Sequence, residues 1–135
     1  MGRFDAVLLD LDADFVALQK NRYWRTPDGL SLDAGPFVAA LEYATGRDAV
    51  VVGKPAPGFF AAVLGELGTD PRATVMVGDD VESDVGGALR AGLAGVLVRT
   101  GKYRADAVAA SGIRATATLD SIADVPRWLE GAADR

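Results

Sequence analysis

Six residues have types and spacings that allow joint chemistry: Asp10 and Asp12, Lys54, and Asp79, Asp80 and Asp84. Each group stands where an apolar run stops. Ala6-Val7-Leu8-Leu9 ends at Asp10-Leu11-Asp12, Ala49-Val50-Val51-Val52 at Gly53-Lys54-Pro55, and Thr74-Val75-Met76-Val77 at Gly78-Asp79-Asp80. Ligands of open parallel sheets bind beyond the carboxyl ends of the strands, so neighbouring strands would bring these residues to one edge. Clustered carboxylates repel one another, and holding them together requires a cation. Hard oxygen donors at a water-accessible edge favour Mg²⁺, which takes a few carboxylates plus water and phosphate oxygens. A nearby lysine supplies a point charge for a substrate phosphate. A carboxylate can itself be the nucleophile and form an aspartyl-phosphate.

Taken singly, each signal has a plainer explanation. Asp in the turn after a strand is often a helix cap or loop residue. Asp84 alone reads as a helix N-terminal charge, and Lys54 alone as a solvated loop residue. The joint order, strand-DLD, strand-GKP, then strand-GDD with a further Asp four residues on, is much more specific.

The elements that would position these groups follow from composition and pattern. The chain has 135 residues, which suits one compact domain over 1–135. A chain of this size buries roughly two-thirds of its unfolded surface, enough to fold without a staple. There is no cysteine and no histidine. Disulfides, thiolate metal sites and Ser-His-Asp catalysis are therefore excluded, and acid–base work falls to carboxylates, Lys or Tyr. The net charge of −5 disfavours non-specific nucleic-acid binding. No apolar run reaches membrane-spanning length and the first residues lack a secretory pattern, so a cytoplasmic location without membrane contact is expected.

Short continuous apolar runs fit strands buried on both faces. Strands are expected at Ala6–Leu9, Phe15–Leu18, Ala49–Val52, Thr74–Val77, Gly95–Val98 and Thr116–Leu119, with Gln19–Trp24 a polar and aromatic stretch. Pro27-Asp28-Gly29 is a turn signal. Asp33 caps a helix with Pro36 in its first turn and Gly46 at its end, and a second helix carries Phe60, Val63, Leu64 and Leu67 on one face. Further helices are expected over about Ser83–Ala91, Ala105–Ala110 and Pro126–Leu129. Strands alternating with helices predict an α/β fold with a mainly parallel sheet.

Val52-Gly53-Lys54-Pro55, Phe59-Phe60, the run Val75 to Ala88 with its GDD-x-x-x-D core, and Val98-Arg99-Thr100-Gly101-Lys102-Tyr103-Arg104 resemble haloacid dehalogenase (HAD) superfamily phosphatases of the type IIA subgroup. The resemblance runs from about Phe15 to the C-terminus. It implies a Rossmannoid three-layer core, divided into a first-motif strand (1–14), a cap-like remnant (about 15–46) and a C-terminal core (about 47–135). It also implies a Mg²⁺-dependent hydrolase acting on a small phosphorylated substrate. Asp10 would be the nucleophile and Asp12 the acid–base, with Asp10 and the Asp12 carbonyl in the metal shell. Lys54 would steady nucleophile and phosphate. Asp79 would be the main fourth-motif metal ligand, Asp84 the second, and Asp80 a support for the metal or its waters.

Three departures qualify that resemblance. Ala13 and Asp14 stand where the family's first motif continues into Gly-Thr. No Ser or Thr ending a second apolar strand is found for the second motif. Residues from about Phe15 to Tyr43 resemble the end of the cap domain, yet follow the first motif at once, so two core strands and most of the cap are expected to be missing. Such a chain would leave an apolar sheet edge unpaired and is expected to form a homodimer through it unless Phe15–Leu18 covers it. Two further readings compete with the phosphatase: a relic that binds metal or phosphate or serves as an interaction module without turnover, and a receiver-like phosphoacceptor. The lysine preceding the aspartate pair argues against the last.

Overall fold

The computed structural model describes residues 15–133. The expected strand Ala6–Leu9 and the carboxylates Asp10 and Asp12 lie outside the described residues. The chain runs through β1 (Val16–Ala17), β2 (Tyr23–Thr26), β3 (Gly29–Leu32), α1 (Ala34–Thr45), β4 (Val50–Val51), α2 (Pro57–Leu67), β5 (Val75–Gly78), a π-turn (Val81–Gly86), α3 (Gly87–Arg90), β6 (Ala94–Val98), α4 (Ala105–Ser111), β7 (Ala117–Leu119) and α5 (Val125–Ala133). This is an α/β fold whose sheets are mainly parallel.

Strands β5, β6 and β7 form a parallel sheet in that order, with Val75 opposite Ala94 and Val96 opposite Ala117. Parallel neighbours need a crossover, and each successive pair here is joined through a helix. A separate parallel pair, β1 and β4, sets Val16 opposite Val50. The sheets among the described residues are thus smaller than the single sheet that the apolar runs suggested. One element was not anticipated. Tyr23–Thr26 pairs antiparallel with Gly29–Leu32 around the Pro27-Asp28 turn. Tyr, Trp and Thr are good strand formers, but four residues of alternation beside a polar stretch were too short a signal.

The helices begin and end where local chemistry dictates. The Asp33 carboxylate accepts from Ala34 N–H at the start of α1, and Gly46 ends it in the left-handed conformation. The last helix begins earlier than Pro126 because Ser121 and Asp124 form a reciprocal capping box in the 3₁₀ turn before it. The segment expected as one helix from Ser83 opens instead as the π-turn and only then becomes α3.

Two apolar clusters hold that segment from different sides. Phe60 of α2, 2% exposed, packs with Ala88 of α3 and with Leu93, and Met76 of β5 lies against them. Burying a side chain of that size contributes about 1.5–3 kcal/mol. Val81 and Val85 of the π-turn pack with Leu97 of β6, with Val108 of α4 and Ile113 against them. The turn that carries the acidic residues is therefore packed against β6 and α4, with α2 bearing on the α3 helix that follows it, and it sits at the carboxyl end of β5.

Candidate active site

Strand β5 delivers Asp79 and Asp80 directly. Asp80 caps the π-turn: its Oδ1 accepts from the backbone N–H of Glu82 (3.1 Å) and of Ser83 (3.0 Å). Its carbonyl accepts from both Asp84 N–H (3.0 Å) and Val85 N–H (3.3 Å), the bifurcation that widens this turn. The widened turn folds the Asp84 side chain back beneath β5, where Oδ2 accepts from Asp80 N–H at 3.1 Å. Gly78 has no side chain to spare there, since a Cβ would overlap the Asp84 carboxylate.

Asp84 is only 4% exposed. A buried carboxylate needs a countercharge, and Lys54 supplies it, with Nζ 2.6 Å from Oδ1. Lys54 comes from the turn after β4 and keeps 38% of its side chain exposed, so its ammonium reaches both the buried acid and solvent.

Asp79 is oriented from another direction. Its Oδ2 accepts from the backbone N–H of Lys102 at 2.9 Å. That N–H is aimed by Gly101, whose φ of +56° is left-handed and whose missing Cβ leaves the space that Asp79 occupies. The Thr-Gly-Lys segment reads from sequence as a turn after a strand and as part of the resemblance; its physical role is this backbone cradle.

A cavity of about 510 Å³ opens over the site, its lining including Asp79, Asp80, Asn21, Tyr23, Lys102 and Arg104. Three polar ties join its two walls. Ser83 Oγ donates to Asn21 Oδ1 at 3.0 Å, Lys102 Nζ lies 3.5 Å from Asp33 Oδ2, and Arg104 Nη1 donates to the Tyr23 hydroxyl at 3.3 Å. The hydrogen bonds that the Arg104 guanidinium donates to Asp106 and then to Tyr23 hold it above its usual pKa, and the same Arg104 bond lowers Asp106. Asn21, Ser83 and Tyr23 were not singled out from sequence, because neither spacing nor residue type marks a contact across 62 residues.

Four of the six sequence candidates, Lys54, Asp79, Asp80 and Asp84, therefore meet around the carboxyl end of β5; Asp10 and Asp12 lie outside the described residues. The donor set suits a hard divalent cation. Asp79 Oδ1 and Asp80 Oδ2 take no hydrogen bond among the described residues, so each keeps an oxygen for a metal or its waters. Asp84 is different, with both its oxygens engaged. Among the described residues no group of three or more acidic side chains is gathered closely enough to hold a metal by itself.

A parallel α/β core with a lysine and paired carboxylates at its strand ends is the frame of a HAD-type hydrolase. Residues 51–125 match the HAD-hydrolase-like family model, more than half of the sequence, and the chain belongs to that family. The bovine haloacid dehalogenase-like hydrolase domain-containing protein 2 is 56% identical over 99 residues, 73% of this chain and 38% of that protein. The bovine phospholysine phosphohistidine inorganic pyrophosphate phosphatase is 40% identical over 136 aligned positions, 100% of this chain and 50% of that one. The chain thus spans half or less of the length of these curated relatives. Among solved structures, p-nitrophenyl phosphatase from Archaeoglobus fulgidus superposes with a TM-score of 0.75 at 28% identity, over 84% of this chain and 46% of that one. The glycerol phosphate phosphatase from Mycobacterium tuberculosis, in complex with magnesium, gives 0.64 at 39% identity, over 76% and 31%.

Proposed function

We propose that this chain carries a Mg²⁺-dependent phosphatase site that works through an aspartyl-phosphate on a small phosphorylated substrate. The observation that carries the reading is the Lys54–Asp84 pair at 2.6 Å beside Asp79 and Asp80, inside the stretch that matches the family. The named phosphatases among its relatives, one of them in complex with magnesium, support the same class of reaction.

Each described residue has a task in that reading. Asp79 and Asp80 present free carboxylate oxygens toward the cavity edge, where they would hold Mg²⁺ or its waters together with Asp10 and the Asp12 carbonyl. Mg²⁺ would supply neutralisation of the phosphate and carboxylate charge. Asp84 anchors Lys54, fixing the ammonium close to the carboxylates so that it can offset charge on the phosphate and on Asp10. Asp10 would attack phosphorus to form the aspartyl-phosphate while Asp12 protonates the departing alkoxide. Asp12 would then take a proton from water, which hydrolyses the acyl phosphate and returns Asp10. A cytoplasmic location is part of the same proposal, and if two copies pair they would do so through an exposed sheet edge.

Release of p-nitrophenol from p-nitrophenyl phosphate tests the proposal. Turnover should require Mg²⁺, cease with EDTA and be lost in Asp10→Asn. Binding of Mg²⁺ without any release by the pure chain would overturn it in favour of a metal-binding relic.

A further inference from the structure

Resting on the phosphatase reading, we infer that Asn21 is a specificity-determining residue: its side-chain amide donates hydrogen bonds to an oxygen of the substrate's leaving group. The cavity beside Asp79 and Asp80 must accommodate whatever is attached to the transferred phosphoryl group, and most polar groups in its lining are already committed. Lys20 is paired with Glu42, Lys102 with Asp33, and Arg104 with Asp106 and Tyr23. Arg22 stands exposed, where solvent screens its charge.

Asn21 is in a different position. Its Oδ1 accepts from Ser83 Oγ at 3.0 Å, which leaves the two N–H donors of Nδ2 with no acceptor among the described residues. Its backbone is fixed as well, because the Asn21 carbonyl accepts from Gly35 N–H at 2.8 Å, at the start of α1. Gly35 itself packs so closely that a Cβ there would come within 2.5 Å of that carbonyl oxygen. Ser83 in turn belongs to the buried π-turn between Asp80 and Asp84. Asn21 is therefore held through its backbone from the α1 side and through its side-chain oxygen from the site side, and it lines the cavity. A rigid, uncharged double donor favours a hydroxylated or carbonyl-bearing leaving group over a plain aryl one. When such a donor is built into a site, substrates lacking its partner gain little from it.

The test compares glycerol phosphate, whose leaving group carries hydroxyls, with p-nitrophenyl phosphate, whose leaving group does not. Asn21→Ala should lower kcat/KM for glycerol phosphate by about 3- to 10-fold, the worth of one hydrogen bond, through KM rather than kcat. For p-nitrophenyl phosphate it should change by less than about twofold. Asn21→Asp keeps an acceptor for Ser83 but puts an oxygen where the donors were, so it should lose glycerol phosphate at least as severely. Equal losses on both esters would make Asn21 a purely structural tie and overturn the inference, as would no loss on either. Equilibrium binding of glycerol phosphate, measured with and without the Asn21→Ala change in an Asp10→Asn background, separates the two readings. If neither ester is hydrolysed yet glycerol phosphate binding weakens in Asn21→Ala, the phosphatase reading falls while the Asn21 contact to the ester's hydroxylated group stands. A chain that neither hydrolyses nor binds the ester overturns both.

Discussion

Gly101→Ala should damage the proposed Mg²⁺ site without replacing any of its candidate ligands. At φ +56° the residue sits in the left-handed region, and an alanine there costs about 1–2 kcal/mol. The added Cβ would also run into Asp79 Oδ2, the atom that accepts from Lys102 N–H at 2.9 Å. Moving that carboxylate breaks a hydrogen bond to a charged acceptor, worth about 1.5–3 kcal/mol. Together the two effects give a loss of about 2.5–5 kcal/mol, read as a lower urea midpoint at an unchanged slope. Because Lys102 N–H orients the carboxylate proposed to face the metal, Mg²⁺ affinity by calorimetric titration should fall about 10- to 100-fold. Gly112→Ala is the matched control. Gly112 has φ +66° with open space around its missing Cβ, so only the backbone cost of about 1–2 kcal/mol should appear, with Mg²⁺ binding intact. If the two variants lose equal stability and bind Mg²⁺ alike, Asp79 is not held by the Gly101–Lys102 backbone and the reasoning fails.

Lys54→Met strands the buried Asp84 carboxylate with only the Asp80 N–H. Breaking a fully buried pair costs about 3–5 kcal/mol; with Lys54 38% exposed, a loss of about 1–3 kcal/mol is expected by urea denaturation, together with loss of the proposed phosphatase turnover. Unchanged stability would show the pair to be screened by solvent. Glu42 offers a pH test away from the site. Its hydrogen bond from Lys20, followed by one from Ala49 N–H, holds its pKa below the usual glutamate value. The stabilisation it gives is thus present above that usual value and is lost as pH falls through the lowered one. In Lys20→Ala the Glu42 titration followed by NMR should move back up, and an unmoved midpoint would count against the Lys20 bond.

Much of this architecture was legible from local signals. The apolar runs ending at Lys54 and Asp79 located β4 and β5, and Asp33 with Gly46 bracketed α1, because caps and buried strands are written in a few adjacent residues. The Asp79, Asp80, Asp84 and Lys54 group was legible for the same reason, each member ending a strand or following one at short range. The hairpin of Tyr23–Thr26 with Gly29–Leu32 was not, since its strands are short and half exposed. The ties from Asn21 to Ser83 and from Lys102 N–H to Asp79 join segments 62 and 23 residues apart. No spacing rule reports contacts of that kind; only the folded chain brings them together. The division of labour within the acidic motif was likewise hidden: Asp80 divides its oxygens between capping and the cavity, and Asp84 spends both on Lys54 and backbone.

The π-turn between Asp80 and Gly87 also bears on how such a protein can diversify. Of its six residues only Glu82 is exposed; Val81 and Val85 face the apolar cluster, Ser83 ties to the opposite wall and Asp84 holds the lysine. Packing and chemistry are thus encoded in the same six positions, and drift in one is inherited by the other. A lineage could rewrite the cavity walls at Tyr23 or Arg104 while this turn stayed nearly invariant, so new specificities would arise around it and not within it.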